Sequence, residues 1–210
     1  MSPRNVVKDR KLREERTRQV LDAAMHVIAR RGLPATKMTD IAAEAGLSVG
    51  NVYKYFESKD QIFQTLVETG QREYRLFVEE ALAKPLPPYE KLYWYTEQWL
   101  ALDNAWAITI MLQHARTSEA VPEPLKKAVS ARFEDNLRPM AALIAEGQRA
   151  GVFIDGDSLE LALLYVSLME GIILHDIPGI REITAITPEK ALRLLLKKDG
   201  SVPADASKRD

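Results

Sequence analysis

The chain of 210 residues has no cysteine, which removes disulfides, thiolate nucleophiles and Cys-based zinc sites together. Histidine is scarce: His26, His114 and His175 are scattered, and without cysteine they make no metal centre. No P-loop or metal motif occurs, so no cofactor and no metal are expected. Alternating apolar and polar runs bounded by turn signals are missing as well, and no strands are expected. Long hydrophobic runs are also wanting. The most apolar stretch, Leu161 to Leu174, is interrupted by Ser167 and Glu170 and is shorter than the ~20 residues of a spanning helix. The opening MSPRNVVKDRKLREER has no apolar segment of the secretory kind. A soluble cytoplasmic protein without a membrane partner is the expectation.

What is present is an uneven distribution of charge. Net charge is −1, yet residues 1–60 carry 12 Lys/Arg against 8 Asp/Glu, and the whole excess lies in the arm 1–18. Such an excess suits a polyanion, although a solvated tail has the same composition. Beyond the arm the patterns are helical. Leu21, Ala24, Met25 and Ile28 recur at i, i+3, i+4, i+7, which predicts a first helix over 8–31 stopped by Gly32. Thr36 is placed to cap a short helix, KMTDIAAEA, ended by Gly46. Ser48 is placed to cap VGNVYKYF, and Ser58-Lys-Asp-Gln61 fits a capping box opening a long helix to about Ala83. Proline-rich KPLPPYEK follows, then helical stretches near 88–103, 105–117, 123–149, 157–176 and 188–198, and a polar end expected to be disordered. The fold class is therefore all-α: an N-terminal three-helix domain over 1–60, a larger helical domain over 61–198, and a tail over 199–210.

One string admits two chemistries. Gly46-Leu-Ser48-Val-Gly50 fits G-x-S-x-G, the turn that exposes a hydrolase's nucleophilic serine. That turn needs a strand immediately before it. Here the preceding residues, Asp40-Ile-Ala-Ala-Glu-Ala45, are mostly helix formers. The rival reading is a helix-turn-helix: short helix, glycine turn, second helix capped by Ser48. It also explains Ile41, Ala42 and Ala45 as one buried face and Leu47 and Val52 as filling between the helices. No catalytic residue is assigned, and an esterase-like activity through Ser48 is set aside.

The run RQVLDAAMHVIARRGLPATKMTDIAAEAGLSVGNVYKYFESKDQIFQTLVE resembles the DNA-binding domain of the TetR family of one-component transcriptional regulators. The matching pieces are the first-helix LDAA, Gly32, Thr36 with Ile41-Ala42, Ala45-Gly46-Leu47-Ser48, and Tyr53-Lys-Tyr55-Phe56 followed by Ser58-Lys59; Ala35 departs where the family often has threonine. The resemblance implies a homodimer that places each third helix in the major groove of double-stranded operator DNA. Within it, Asn51 has the amide geometry for adenine, Val49 offers methyls to thymine, and Gly50 lets backbone approach. Lys54 is free to face the groove, and Tyr53, Tyr55 and Lys59 are expected on phosphates, with Thr36, Lys37 and Thr39 gripping the backbone from the second helix and Ser48 at the cap. Tyr55 could equally pack beside Phe56. Arg4, Lys8, Arg10, Lys11 and Arg13 would add non-specific affinity or enter a minor groove.

The resemblance further implies a second domain that dimerises and binds a small effector. Residues 157–176 are apolar on nearly every side, so a helix there should be buried all round. In 123–149, Leu125, Val129, Phe133, Leu137, Met140 and Ile144 form one stripe, and Pro139 should kink or split the helix. By family position these two helices form the dimer interface. Tyr95, Trp99, Leu102 and Trp106 share a face if their helix is unbroken. Candidate effector-binding residues are Tyr95, Trp99, Trp106, Met111, His114, Phe133, Leu137, Met140, Tyr165 and Met169, which suit a hydrophobic effector, aromatic or acyl. The expected function is a repressor released by that effector; the alternatives are an activator, which depends on where the operator lies, and a constitutive DNA-binding protein.

Overall fold

The structure, a computed structural model, describes residues 3–175 and 185–197, with side chains from Lys8 onward. Among these the chain forms α1 (Pro3–Ala35), α2 (Met38–Glu44), α3 (Val49–Val52), α4 (Lys59–Ala83), α5 (Pro88–Leu100), α6 (Ala105–Thr117), α7 (Glu123–Arg149), α8 (Ser158–His175) and α9 (Pro188–Leu192). The only β pairing among them is an isolated bridge between Phe153 and Leu196. The protein is all-α, and the polar end read as disordered lies outside the described residues.

Local chemistry sets most of the boundaries. Gly32 takes φ 77°, a left-handed conformation that interrupts α1 where the stop was expected. Gly46, at φ 64°, ends the α2 region in the same way. Ser58 Oγ accepts from the Gln61 N–H at 3.1 Å, and Gln61 Oε1 accepts from the Glu57 N–H at 2.7 Å, a capping box that opens α4.

Several expectations fail for physical reasons. Thr36 does not cap α2, because its hydroxyl turns back to donate to Gly32 O at 2.8 Å. Asp40 closes that end instead, accepting from the Lys37 N–H at 3.0 Å. The third helix keeps only four α-helical residues before 3-residue turns take over at Tyr53. Pro139 does not split α7, which runs unbroken from Glu123 to Arg149. The carbonyl it orphans is that of Asp135, an exposed residue where water can replace the lost donor. The last helix stops at Leu192 rather than 198, since Leu195 and Lys197 bond to the strand-like segment 152–154 (Ile154 N to Leu195 O, 2.8 Å; Lys197 N to Val152 O, 3.1 Å).

The chain divides into two units, and the division is not the single cut at residue 60 that the motif suggested. One unit takes the residues up to Arg72 together with Ala107–Ala131; the other takes Glu73–Trp106 and the residues from Arg132 onward. α4 therefore begins in the first unit and ends in the second.

In the first unit, Val20, Ala24, Ile28, Ile41, Val52, Ile62 and Val67 are fully excluded from water. Gln71 is also buried and donates to Val129 O at 2.8 Å. In the second unit, Tyr89, Leu92 and Tyr95 of α5 pack with Met140, Leu143 and Ile144 of α7, and with Tyr165 and Met169 of α8. Lys91, almost wholly buried, pairs with Glu146 at 2.9 Å, a partnership that is costly to break from one side.

Phe153, with no exposed surface, presses its ring onto the backbone of Gly147. A Cβ at 147 would fall inside the van der Waals surface of that ring, so alanine must expel it. Gly147→Ala is expected to lower stability by about 1–3 kcal/mol, whereas helix propensity alone would make alanine stabilising. Urea unfolding followed by circular dichroism gives the sign.

Candidate functional site

The α2–α3 region of the first unit is built around a seven-residue helix that buries Ile41 and Ala42 and turns through Ala45–Gly46. Gln19 of α1 donates Nε2 to Ala45 O at 2.7 Å, so the first helix holds the turn through its backbone. Two ion pairs brace the outside: Arg30 to Glu44 at 2.7 Å and Arg31 to Asp40 at 3.2 Å. Ser48 is the cap of α3; its Oγ accepts from the Asn51 N–H at 3.3 Å. With a helix before it rather than a strand, it is not held on an elbow.

This arrangement leaves a polar surface facing outward. Lys37, Thr39, Ser48, Gly50, Tyr53 and Lys54 are exposed, and Val49, Asn51 and Tyr55 are half-buried. Tyr53, a large ring, is 53 % exposed. Lys54 Nζ donates to Asn51 Oδ1 at 3.0 Å, an exposed contact that a base edge can replace. Tyr55 carries the Arg13 guanidinium over its ring at 5.9 Å, which joins the basic arm to this surface.

Two expected backbone-gripping residues are placed elsewhere. Thr36 is 1 % exposed, with its hydroxyl spent on Gly32 O. Lys59 points its ammonium into the chain, donating to Leu33 O at 2.8 Å, Thr36 O at 2.9 Å and Pro34 O at 3.0 Å. Of the two roles expected of the arm, the helix bears on one. From Pro3 it is helical, and a helix of ~10–12 Å diameter does not enter a minor groove ~6 Å wide.

In the second unit the expected effector residues form one aromatic interior, though not with every member assigned. Tyr95 lies 5.6 Å from Trp99 and 6.4 Å from Tyr165 between ring centroids, and Trp99 lies 6.4 Å from Tyr165. Phe133, Leu137, Met140 and Met169 belong to the same cluster. Sequence reasoning missed Tyr74, 5.8 Å from Trp99, and Phe77, 5.0 Å from Tyr95; their spacing within amphipathic α4 was the available signal.

Met111 and His114 fall in the first unit instead, and Leu102 is exposed. α5 ends at Leu100, so the single face running on to Trp106 does not exist.

Polar atoms in this interior follow a strict donor order. Thr96 gives its hydroxyl proton to Leu92 O at 2.6 Å, so the 2.8 Å contact with Tyr165 must be donated by the phenol. The Tyr74 hydroxyl, buried beside Tyr95, makes no hydrogen bond of good geometry. Desolvation pushes the Tyr74, Tyr95 and Tyr165 phenols well above their usual range, and all three stay neutral at ordinary pH.

A helix-turn-helix with an outward polar face, on a chain whose next helix continues into a second helical unit, is the arrangement the resemblance to one-component regulators implies. Residues 20–66 match the family described as bacterial regulatory proteins, tetR family. The uncharacterized HTH-type transcriptional regulator YfiR of Bacillus subtilis is 41% identical over 70 residues, 33% of this chain and 33% of that protein. The chain thus aligns with about a third of that relative's length. The fatty acid metabolism regulator protein of the same organism is 25% identical over 147 residues, 69% of this chain and 74% of that protein. The crystal structure of the MbdR regulator from Azoarcus sp. CIB superposes with a TM-score of 0.69 at 25% identity, covering 88% of this chain and 98% of that one. Residues 20–66 thus carry the DNA-binding region of the tetR family, and over most of its length the chain is similar to regulators of this kind.

The exposed face yields a discriminating prediction. Asn51→Ala should cost about 1–3 kcal/mol on a selected operator duplex and relax the base preference at one position. Tyr53→Phe, which removes only a phenolic hydroxyl, should weaken all duplexes alike. Competitive binding to a panel of single-base operator variants checks both, and an unchanged preference in Asn51→Ala would remove Asn51 as a base reader.

Proposed function

We propose that this chain is an effector-released repressor that binds a pseudo-palindromic operator as a homodimer. The observation that carries the reading is the pairing of an outward polar helix-turn-helix face with an aromatic interior holding an unspent hydroxyl, on one continuous α4. The effector is a small hydrophobic compound, acyl or aromatic, whose apolar body meets Trp99, Tyr95 and Phe77 and whose polar end takes the Tyr74 hydroxyl. The name of the 25%-identical relative, a fatty acid metabolism regulator, supports the acyl class.

Dimerisation is carried by α8, and here the chain differs from the all-round burial expected of it. Leu161, Ala162, Tyr165, Val166, Met169 and Ile173 are buried on one side. Leu159, Leu163, Leu164 and Leu174 are exposed on the other, Leu164 at 63 %. At 100° per residue the two sets occupy separate arcs of about 140° each. Gly171 lies within the exposed arc, and a Cβ added there meets nothing within 4 Å. A mid-helix glycine costs about 1 kcal/mol against alanine, and close approach by a partner helix is a reason to keep it. The α7 stripe is used differently: Val129, Leu137, Met140 and Ile144 are buried within the chain itself. The two apolar sides of α8 thus serve the core and a second copy.

Leu164→Glu separates the two roles, because the position is exposed in one chain. The variant should keep the native circular dichroism, sediment as a monomer, and lose full-operator affinity at least tenfold, about 1.4 kcal/mol. A fully dimeric Leu164→Glu protein would remove α8 as the interface. For release, tryptophan fluorescence titrated with medium-chain acyl thioesters and with aromatic acids, with and without operator, should give affinities differing by a factor of about 5–150. Equal affinities with and without DNA would show that the aromatic interior does not govern DNA binding.

A further inference from the structure

Lys59 is the first residue of α4, where the helix dipole presents positive charge and a cation is ordinarily disfavoured. Its surroundings explain why it is tolerated. The ammonium collects the carbonyls of Leu33, Pro34 and Thr36 at 2.8, 3.0 and 2.9 Å. These carbonyls come from the end of α1 and the corner leading to α2, where helical backbone leaves acceptors without intrahelical partners. An ammonium has three donors, and all three are used. The corner is shaped for this purpose: Gly32 takes positive φ there, the buried Thr36 hydroxyl satisfies Gly32 O, and the carbonyls that follow converge on one nitrogen, Leu33 O also accepting the Thr36 N–H at 3.3 Å.

We infer that Lys59 is a positioning residue for DNA recognition, a latch fixing the start of α4 to the α1–α2 corner, and not a phosphate ligand. The inference rests on the DNA-binding reading above. It has distinct consequences. A phosphate ligand contributes to specific and non-specific duplexes alike and releases a counterion, so it enters the salt dependence. A latch contributes by holding α2 and α3 in the geometry that reads bases, so its loss falls on specific binding and leaves the number of neutralised phosphates unchanged. The two roles also differ in what replaces lysine. Arginine serves a phosphate at least as well as lysine, but its planar fork cannot converge three donors on the point where these carbonyls meet.

The test uses the full-length protein, a duplex selected from a random pool by the wild type, and poly(dI-dC) as the non-specific duplex. Lys59→Ala should weaken the selected duplex about tenfold or more, the scale of lost charged hydrogen bonds, with poly(dI-dC) affinity nearly unchanged. The slope of log affinity against log salt should equal that of the wild type, and this slope does not depend on the fraction of protein that is folded. Lys59→Arg, which keeps the charge, should fail to restore the selected-duplex affinity. A slope shallower by about 0.9 in Lys59→Ala, wild-type affinity in Lys59→Arg, or equal losses on both duplexes would overturn the latch. Failure of the wild type to select any duplex would instead remove the DNA-binding reading itself.

Discussion

The surface proposed to face DNA depends on holding a helix too short to hold itself. α2 has seven residues and α3 four, well below the ~12–15 at which an isolated helix is even marginal in water. Their geometry therefore comes from neighbours. Ile41, Ala42 and Val52 are excluded from water. Gln19 seizes the carbonyl at the turn, and two arginines of α1 take the acids of α2. Each contact is made from the inside or the edge, so the side chains of Lys37, Thr39, Tyr53 and Lys54 stay exposed, the last tied only to Asn51. A surface that reads DNA needs both conditions at once, a fixed backbone and free side chains.

The second unit obeys the opposite constraint. Its interior is dense with rings, and its polar atoms divide: the Tyr165 phenol and Thr96 hydroxyl are paired, while the Tyr74 and Tyr89 hydroxyls make no hydrogen bond of good geometry. Lys84 is held over the Trp94 face at 3.7 Å, so even a charged neighbour is spent on the aromatic shell. Tyr93 donates to Glu189 at 2.8 Å, fastening α5 to α9; that hydrogen bond pushes the Tyr93 phenol up to about 12, while Thr187 leads the contacts that lower the Glu189 carboxyl. The carboxyl's contribution holds above its ordinary value and is lost as pH falls through the lowered one. The phenol's contribution is whole below its ordinary value and is lost only as pH rises through its raised one. Glu189 is exposed and Tyr93 only half-buried, and their effect is small across the neutral range.

What the sequence made legible was local. Gly32, Gly46, Ser48 and the Ser58–Gln61 box carry their conformations in their own side chains or lack of them, and each acts where spacing placed it. The all-α class followed from periodicity, and the helix-turn-helix from several residue types at fixed intervals. The failures are all long-range. Lys59 looks like a phosphate ligand until the carbonyls of residues 33–36 are known to converge on it. Thr36 looks like a cap until its hydroxyl is seen turning back. α8 looked buried all round because composition cannot distinguish an apolar face in the core from an apolar face left exposed. The aromatic site gained Tyr74 and Phe77 and lost Met111 and His114 because α4, α6 and α7 each cross from one unit to the other, and no periodicity reports where a helix changes unit.

The central claim, that paired copies of the α2–α3 surface read the major groove, is tested most directly by hydroxyl-radical and methylation footprinting on a selected operator duplex. The account predicts two equivalent protections on one side of the duplex, centred about 10–10.5 base pairs or a multiple apart, with guanine N7 shielded in the major groove of each. A single protected patch, or uniform protection without shielding of N7, would contradict it.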